Sequence, residues 1–182
     1  AVPHVCIYAA SSRRLDPEYY AAAESLGTQL GQLGWDLVFG GANIGLMNAA
    51  ARGFKSVGRR VISVIPHIFD RSGLTFAPSD QVLLTDDLRQ RKRIMAEHAD
   101  AFLTLPGGPG TLDEFYETLT LAQLKLIEKP IVLFNFRGHF AGTLQQLETA
   151  VTSGFADPKL LEAFSVVDTV DQAVRKFAAL AP

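Results

Sequence analysis

The stretch that most limits what this chain can fold into lies between residues 101 and 126. Residues 101–105 form an apolar run with the length and composition of a buried strand. Pro106 ends the run. Gly107, Gly108 and Gly110 then place three glycines in four positions, so the backbone can turn sharply and other groups can approach it. From Thr111 the period changes, and Leu112, Phe115, Leu119, Ala122 and Leu126 follow a helical stripe. A glycine-rich bend between strand and helix presents free backbone N–H groups at the positive end of the helix dipole. That makes it a ready site for an anion, most commonly a phosphate. The same residues admit a plainer role, because Thr111-x-x-Glu114 also fits a capping box that only satisfies the first N–H groups of the helix. Two nucleotide loops are excluded. No Lys-Ser/Thr pair follows the glycines, as a triphosphate P-loop requires, and Asp113 stands where a dinucleotide fingerprint has its third glycine.

The same alternation of strand and helix runs through the chain. Strands are expected at 5–10, 35–39, 60–65, 82–84, 101–105, 130–135 and 164–167. Helices are expected from Pro17 to about Leu33, over 45–51, after Asp86 or Asp87, from Thr111, and over 140–151 and 170–179. This order predicts an α/β fold: a doubly wound, Rossmann-like parallel sheet with helices on both faces. With 182 residues and 48% hydrophobic content, residues 1–182 are expected to form one nucleotide-binding domain. Residues 67–80 show no period, and a loop this long in a compact domain is often functional. Pro158 reads as the point where the core gives way to a C-terminal addition.

Charge and composition narrow the function. Seventeen basic against nineteen acidic residues leave a net charge of −2, which argues against a nucleic-acid surface. No apolar run approaches the ~20 residues that span a membrane. No signal peptide is visible, and the single cysteine, Cys6, excludes an internal disulfide, so a cytoplasmic protein is expected. His4, His67, His98 and His139 are scattered without metal-ligand spacing, and Ser11 and Ser12 lack the nucleophile-elbow pattern. Neither a metal, a cofactor nor a nucleophilic triad is expected.

Three further features bear on a site. In the helix after Asp87, Leu88, Met95 and Ala99 share a stripe whose gap is filled by Arg91 and Lys92. Arg89 and Arg93 read as a solvated face, whereas Arg91 points partly inward and needs an anionic partner: Glu114, a bound phosphate, or both. Ser11 and Ser12 follow the first strand at the usual crevice edge of a parallel sheet. Gly40 and Gly41 turn into a small-residue helix, which serves either close helix–sheet packing or the approach of a ligand between Gly41 and Gly45.

The run Pro106-Gly107-Gly108-Pro109-Gly110-Thr111-Leu112-Asp113-Glu114 resembles the Pro-Gly-Gly-x-Gly-Thr-x-x-Glu signature of the Lonely Guy (LOG) family. Those proteins are cytokinin riboside 5′-monophosphate phosphoribohydrolases, formerly labelled possible lysine decarboxylases. Arg91-Lys92 with Met95, Ser11-Ser12, and residues 40–47 also fall in family order, so the similarity runs from about residue 4 to 158. Ala10, Ala42 and Asn48 stand where the family usually has glycine, Leu88 replaces a common methionine, and 67–80 matches poorly. These departures bear on substrate preference more than on reaction class.

The resemblance implies that Arg91 and Glu114 are the catalytic pair. It implies substrate contacts from Ser12, Gly41, Gly45, Lys92 and Met95. Further contacts are implied from Gly107, Gly108, Gly110, Thr111, Asp113 and Thr120. The implied reaction is hydrolysis of adenosine 5′-monophosphate, or an N6-substituted nucleoside 5′-monophosphate, to free base and ribose 5-phosphate by a homodimer or larger assembly. That reaction needs an anion cradle for the phosphate beside a carboxylate for the positive charge that builds on the ribose. The turn at 107–111, followed at once by Asp113 and Glu114, supplies both, with Arg91 as the cation between like charges. A non-catalytic nucleotide or cofactor carrier would use the same cradle without needing both Arg91 and Glu114. Lysine decarboxylation is not expected, since a pyridoxal enzyme needs a Schiff-base lysine and only Lys92 of the six lysines lies in the candidate site.

Overall fold

Short apolar runs separated by amphipathic helices can bury themselves only as a sheet covered on both faces. The computed structural model describes residues 1–180 and has this form. Its strands are β1 (His4–Tyr8), β2 (Asp36–Phe39), β3 (Val61–Pro66), β4 (Gln81–Thr85), β5 (Ala101–Thr104), β6 (Ile131–Phe134) and β7 (Ser165–Val167). The helices are α1 (Pro17–Gln32), α2 (Gly45–Ser56), α3 (His67–Asp70), α4 (Leu88–His98), α5 (Pro109–Gln123), α6 (Ala141–Thr152) and α7 (Val170–Leu180). All neighbouring strands pair in parallel, in the order β4-β3-β2-β1-β5-β6-β7. The predicted doubly wound sheet is therefore the observed one.

Alternate residues of each strand feed two cores. Val5, Ile7, Leu37 and Phe39 meet α1, α2 and α7 on one face, and Cys6, Tyr8, Val38 and Phe102 meet α4, α5 and α6 on the other. The chain winds outward from β1 to β4, crosses under the sheet through α4, and resumes at β5 on the other side of β1. β1 and β5 therefore flank the point where the winding reverses, and ligands of such sheets bind at the carboxyl ends of those strands. Hydrogen bonds continue the β1–β5 pairing past the strands. The Leu105 N–H donates to the Tyr8 carbonyl at 2.8 Å and the Ala10 N–H to the Pro106 carbonyl at 3.1 Å.

Several elements differ from expectation. α5 begins at Pro109 with Gly108 as its N-cap, not at Thr111, because proline at the first helical position costs no hydrogen bond. The small residues of α2 serve both neighbours: Ala49, Ala50 and Ala51 share the core with the sheet, and a Cβ on Gly27 of α1 or Gly53 of α2 would strike the other helix's backbone. Residues 67–80 hold the short α3 and are pinned to the Gly41 turn. There the Asn43 N–H donates to Leu74 and the Phe76 N–H to Gly41, both at 2.8 Å, and Phe76 is buried against Phe39. Leu88 does not join the buried stripe of α4 but is 48% exposed at its first turn. The residues after Pro158 are no addition: β7 extends the sheet and Phe177 of α7 packs fully buried against Trp35. Among the described residues, no helix is long and apolar enough to cross a membrane.

Candidate active site

Three strand-to-helix turns meet at the carboxyl edge of β1, β2 and β5. With α4 beneath and residues 67–80 above, they enclose a cavity of about 370 Å³. Gly108, Pro109, Gly110, Thr111 and Glu114 form one wall, Arg91 and Gly40 the floor, and Ser11 part of the rim. A larger groove of about 820 Å³ runs along the outer faces of α4 and α5, but neither the glycine turn nor Arg91 or Glu114 lines it.

The β5–α5 turn is built tightly. Thr111 tucks its side chain back against Gly107, where any Cβ would collide with it, and is itself buried. The first intrahelical bond runs from the Leu112 N–H to the Gly108 carbonyl at 3.1 Å. Among the described residues the N–H groups of Gly108, Gly110 and Thr111 have no acceptor. The positive end of α5 therefore opens into the cavity with its donors free. The Gly107 N–H is not among them, since it donates to His139 Nε2 at 3.2 Å.

Glu114 lies one turn further along α5 and is 8% exposed. With the helix starting at Pro109 it is too far along to cap, and no side chain caps this helix, so the capping box does not form. Burial pushes the Glu114 carboxyl up to about 7; Arg91 opposes the rise, Asp113 adds to it, Lys92 opposes it and Glu117 adds to it.

Arg91 faces Glu114 from α4, but loosely. Its Nη2 stands 4.0 Å from Oε2, at the outer limit of an ion pair, and its side chain is only 15% exposed. The guanidinium lies over the bare backbone of Gly40, where a Cβ would come within 3.3 Å of Nη1. Among the described residues its buried Nε has no acceptor. A shielded arginine and a shielded carboxyl too far apart to hydrogen-bond each other are open to a further partner from the cavity that both line.

Lys92 turns the other way along α4, with Nζ 2.8 Å from Asp113 Oδ2 and 2.9 Å from Glu117 Oε2. Partial burial works against its charge, but the bonds to these two acids prevail and hold its pKa above the usual lysine value. Lys92 thereby offsets part of the negative charge of Asp113 and Glu117 beside the cavity, so the repulsion of an anion by Asp113 is reduced.

The remaining expected contacts are placed as follows. The exposed Ser12 accepts from the Arg14 N–H at 3.2 Å, and its neighbour Ser11 faces the cavity. Gly41 and Gly45 have φ of +78° and +63°, values that shape the turn at the rim. Met95 has no exposed surface and packs in the core under α4. Asp113 is 62% exposed and turned toward Lys92. Thr120 sits exposed on α5, its hydroxyl donating to the Tyr116 carbonyl at 2.7 Å, outside the cavity wall.

Sequence reading missed the apolar wall made by Ile44, Met47, Ile65, Phe69, Leu74 and Leu88. The aperiodic 67–80 segment marked the region without showing which side chains turn inward. It also passed over His139, whose spacing gives no sign of its contact with Gly107.

Comparison with known proteins identifies the family. Residues 47–177 match a family model described as possible lysine decarboxylase. The chain is 38% identical over 178 residues to the cytokinin riboside 5′-monophosphate phosphoribohydrolase LOG3 of Arabidopsis thaliana, covering 98% of this chain and 83% of that protein. It is 35% identical over 174 residues to the cytokinin riboside 5′-monophosphate phosphoribohydrolase of Mycobacterium tuberculosis, covering 96% and 92%. Among solved structures, the molybdenum cofactor carrier protein of Chlamydomonas reinhardtii superposes with a TM-score of 0.75 at 23% identity, covering 99% and 98%, a likeness of fold alone. With curated relatives aligned along almost its whole length, this chain belongs to the LOG family of phosphoribohydrolase-like proteins.

Proposed function

We propose that this protein is a nucleoside 5′-monophosphate phosphoribohydrolase that cleaves the N-glycosidic bond of adenosine 5′-monophosphate or an N6-substituted analogue. The products are the free base and ribose 5-phosphate. One observation carries the reading: Arg91, whose buried Nε has no acceptor among the described residues, and Glu114 stand 4.0 Å apart on the wall of the cavity that the start of α5 also lines. The family membership supports the same reaction class.

In this reading the 5′-phosphate rests on the N–H groups of Gly108, Gly110 and Thr111. Arg91 bridges phosphate and Glu114, and the binding energy of the phosphate holds the ribose in place. Ionised Glu114 then stabilises the oxocarbenium-like charge or activates the attacking water. Gly107, Gly41, Gly45 and Met95 shape the site from behind, and Lys92 holds Asp113 and Glu117. The base lies toward Ile44, Met47, Ile65, Phe69, Leu74 and Leu88, an apolar lining suited to a purine and to an apolar N6 group. No metal or cofactor enters the scheme, and a cytoplasmic location is part of the proposal. Chromatography after incubation with a panel of purine nucleotides tests it. Base should be released from adenosine 5′-monophosphate or from an N6-substituted member. Release from none would favour a carrier.

We further propose a homodimer or larger assembly. Leu124 and Leu126 are 62% and 67% exposed at the end of α5, and Leu126 lines the groove beside α4, a concentration of apolar surface suited to a second copy. Light scattering at micromolar concentration should give at least twice the chain mass of 19.7 kDa. A value at the chain mass would contradict the assembly.

A further inference from the structure

The glycine turn is held from outside the site. We propose that His139 is a positioning residue that clamps the Gly107 peptide and so keeps the neighbouring N–H groups aimed at the phosphate. The inference rests on the reading of that turn as an anion cradle. Nε2 of His139 lies 3.2 Å from the Gly107 nitrogen, whose N–H donates to it, and 2.8 Å from the Gly107 carbonyl oxygen. With its proton on Nδ1 the ring accepts from the N–H, and with its proton on Nε2 it donates to the carbonyl. Either tautomer holds the same peptide.

The segment that delivers His139 is rigidly braced. It leaves β6 through a 3-10 turn, Phe136–Gly138, in which Arg137 and Gly138 both take left-handed φ, at 56° and 69°. A non-glycine residue in that conformation persists only when its surroundings hold it there. Here Arg137 Nη1 lies 3.4 Å from Asp16 and 3.5 Å from Glu18 at the start of α1, with its guanidinium over the Tyr19 ring. On the far side, the Phe140 N–H donates to Asn135 Oδ1 at 2.7 Å, and Phe140 is buried. Between these two anchors His139 reaches across to the β5–α5 turn, 32 residues earlier in the chain. Gly107 has no side chain to fix itself; the Thr111 side chain packs against it, and the His139 ring adds a hydrogen-bonded support.

A side-chain amide can accept from the Gly107 N–H and donate to its carbonyl, so His139→Gln should preserve the clamp while His139→Ala removes it. Calorimetric binding of ribose 5-phosphate and of adenosine to wild type and both variants tests the proposal, with base release followed separately. Loss of one exposed hydrogen bond should weaken ribose 5-phosphate binding by about three- to tenfold in His139→Ala, and by less than about twofold in His139→Gln. Adenosine, which has no phosphate, should show no matching loss. Equal losses for the two ligands, equal losses in the two variants, or unchanged binding in a folded His139→Ala would each overturn the clamp. If wild type binds ribose 5-phosphate in this pattern yet releases no base, the hydrolase reading fails and the clamp stands.

Discussion

Glu114→Gln should give a folded protein that still binds nucleotide and has lost at least about a hundredfold in turnover, roughly 2.7 kcal/mol of transition-state stabilisation. Glutamine keeps the shape and removes the charge. The helix gives no reason to need a glutamate there, since α5 is capped at Gly108 and Glu114 holds no cap. Burial has instead raised its pKa to about 7 from 4.5, which has two measurable consequences. As the ionised form is the active one, kcat/KM should rise with pH through a limb near 7. The other consequence concerns stability. Between pH 4.5 and about 7 the folded state binds more protons at this site than the unfolded chain does, so the folded protein loses stability as pH rises across that window. At ~1.4 kcal/mol per pKa unit the full penalty is on the order of 3 kcal/mol, and it is absent from the glutamine variant. Arg91 loses its counter-charge in the same change, which reduces the gain. Glu114→Gln should therefore melt higher than wild type at pH 8, with the difference shrinking toward pH 4.5. A variant that keeps most of its turnover would remove Glu114 from the chemistry.

Removing the 5′-phosphate from the substrate should be as damaging. Adenosine should be turned over with kcat/KM lower than its monophosphate by a factor on the order of a hundred or more. A charge-assisted hydrogen bond contributes roughly 1.5–3 kcal/mol, and the cradle offers several to the same group. Gly108, Gly110 and Thr111 have free N–H groups at the positive end of α5, and Arg91 has no hydrogen-bonded acceptor of its own. The nucleoside leaves all of these unpaired inside a shielded cavity. Arg91→Ala should lower turnover of the monophosphate steeply and cost the nucleoside less, because part of what Arg91 does passes through the phosphate. Steady-state kinetics of the two substrates with wild type and Arg91→Ala measures both effects. Equal kcat/KM for adenosine and its monophosphate would take the phosphate out of the turn.

Much of this arrangement was legible in the residues. A run such as 101–105 followed by glycines and a helical stripe has few other ways to fold, and the strict alternation of such units leaves the doubly wound sheet as the consistent topology. The placing of Arg91 four residues before Met95 indicates a shielded guanidinium, which the structure has, although Leu88 on its other side is half exposed. Spacing could not foresee its looseness, because the 4.0 Å gap to Glu114 depends on how α4 and α5 sit across the sheet. Spacing leaves the start of α5 ambiguous. Pro109 and Thr111 both suit a first turn, and the collision that forbids a side chain at Gly107 is visible only in three dimensions. Leu88 has the period of a core residue, yet it sits in the first turn of α4, where it lines the cavity and is half exposed. The apolar wall from 65 to 74 escaped notice because backbone bonds to the Gly41 turn, not any periodic pattern, hold that segment in place. His139 was hidden for the same reason, its partner being a peptide group remote in the chain.

The central claim is that the cavity at the carboxyl edge of β1, β2 and β5 breaks an N-glycosidic bond and does not simply hold a nucleotide. The most direct measurement is to incubate the protein with a large molar excess of adenosine 5′-monophosphate or an N6-substituted analogue, then quantify base, ribose 5-phosphate and remaining nucleotide over time. Base and ribose 5-phosphate should appear in equal amounts, over many turnovers per chain, with Glu114→Gln nearly silent in the same assay. Recovery of all the nucleotide intact, with no more bound than one equivalent per chain, would contradict the claim and leave a binding protein in its place.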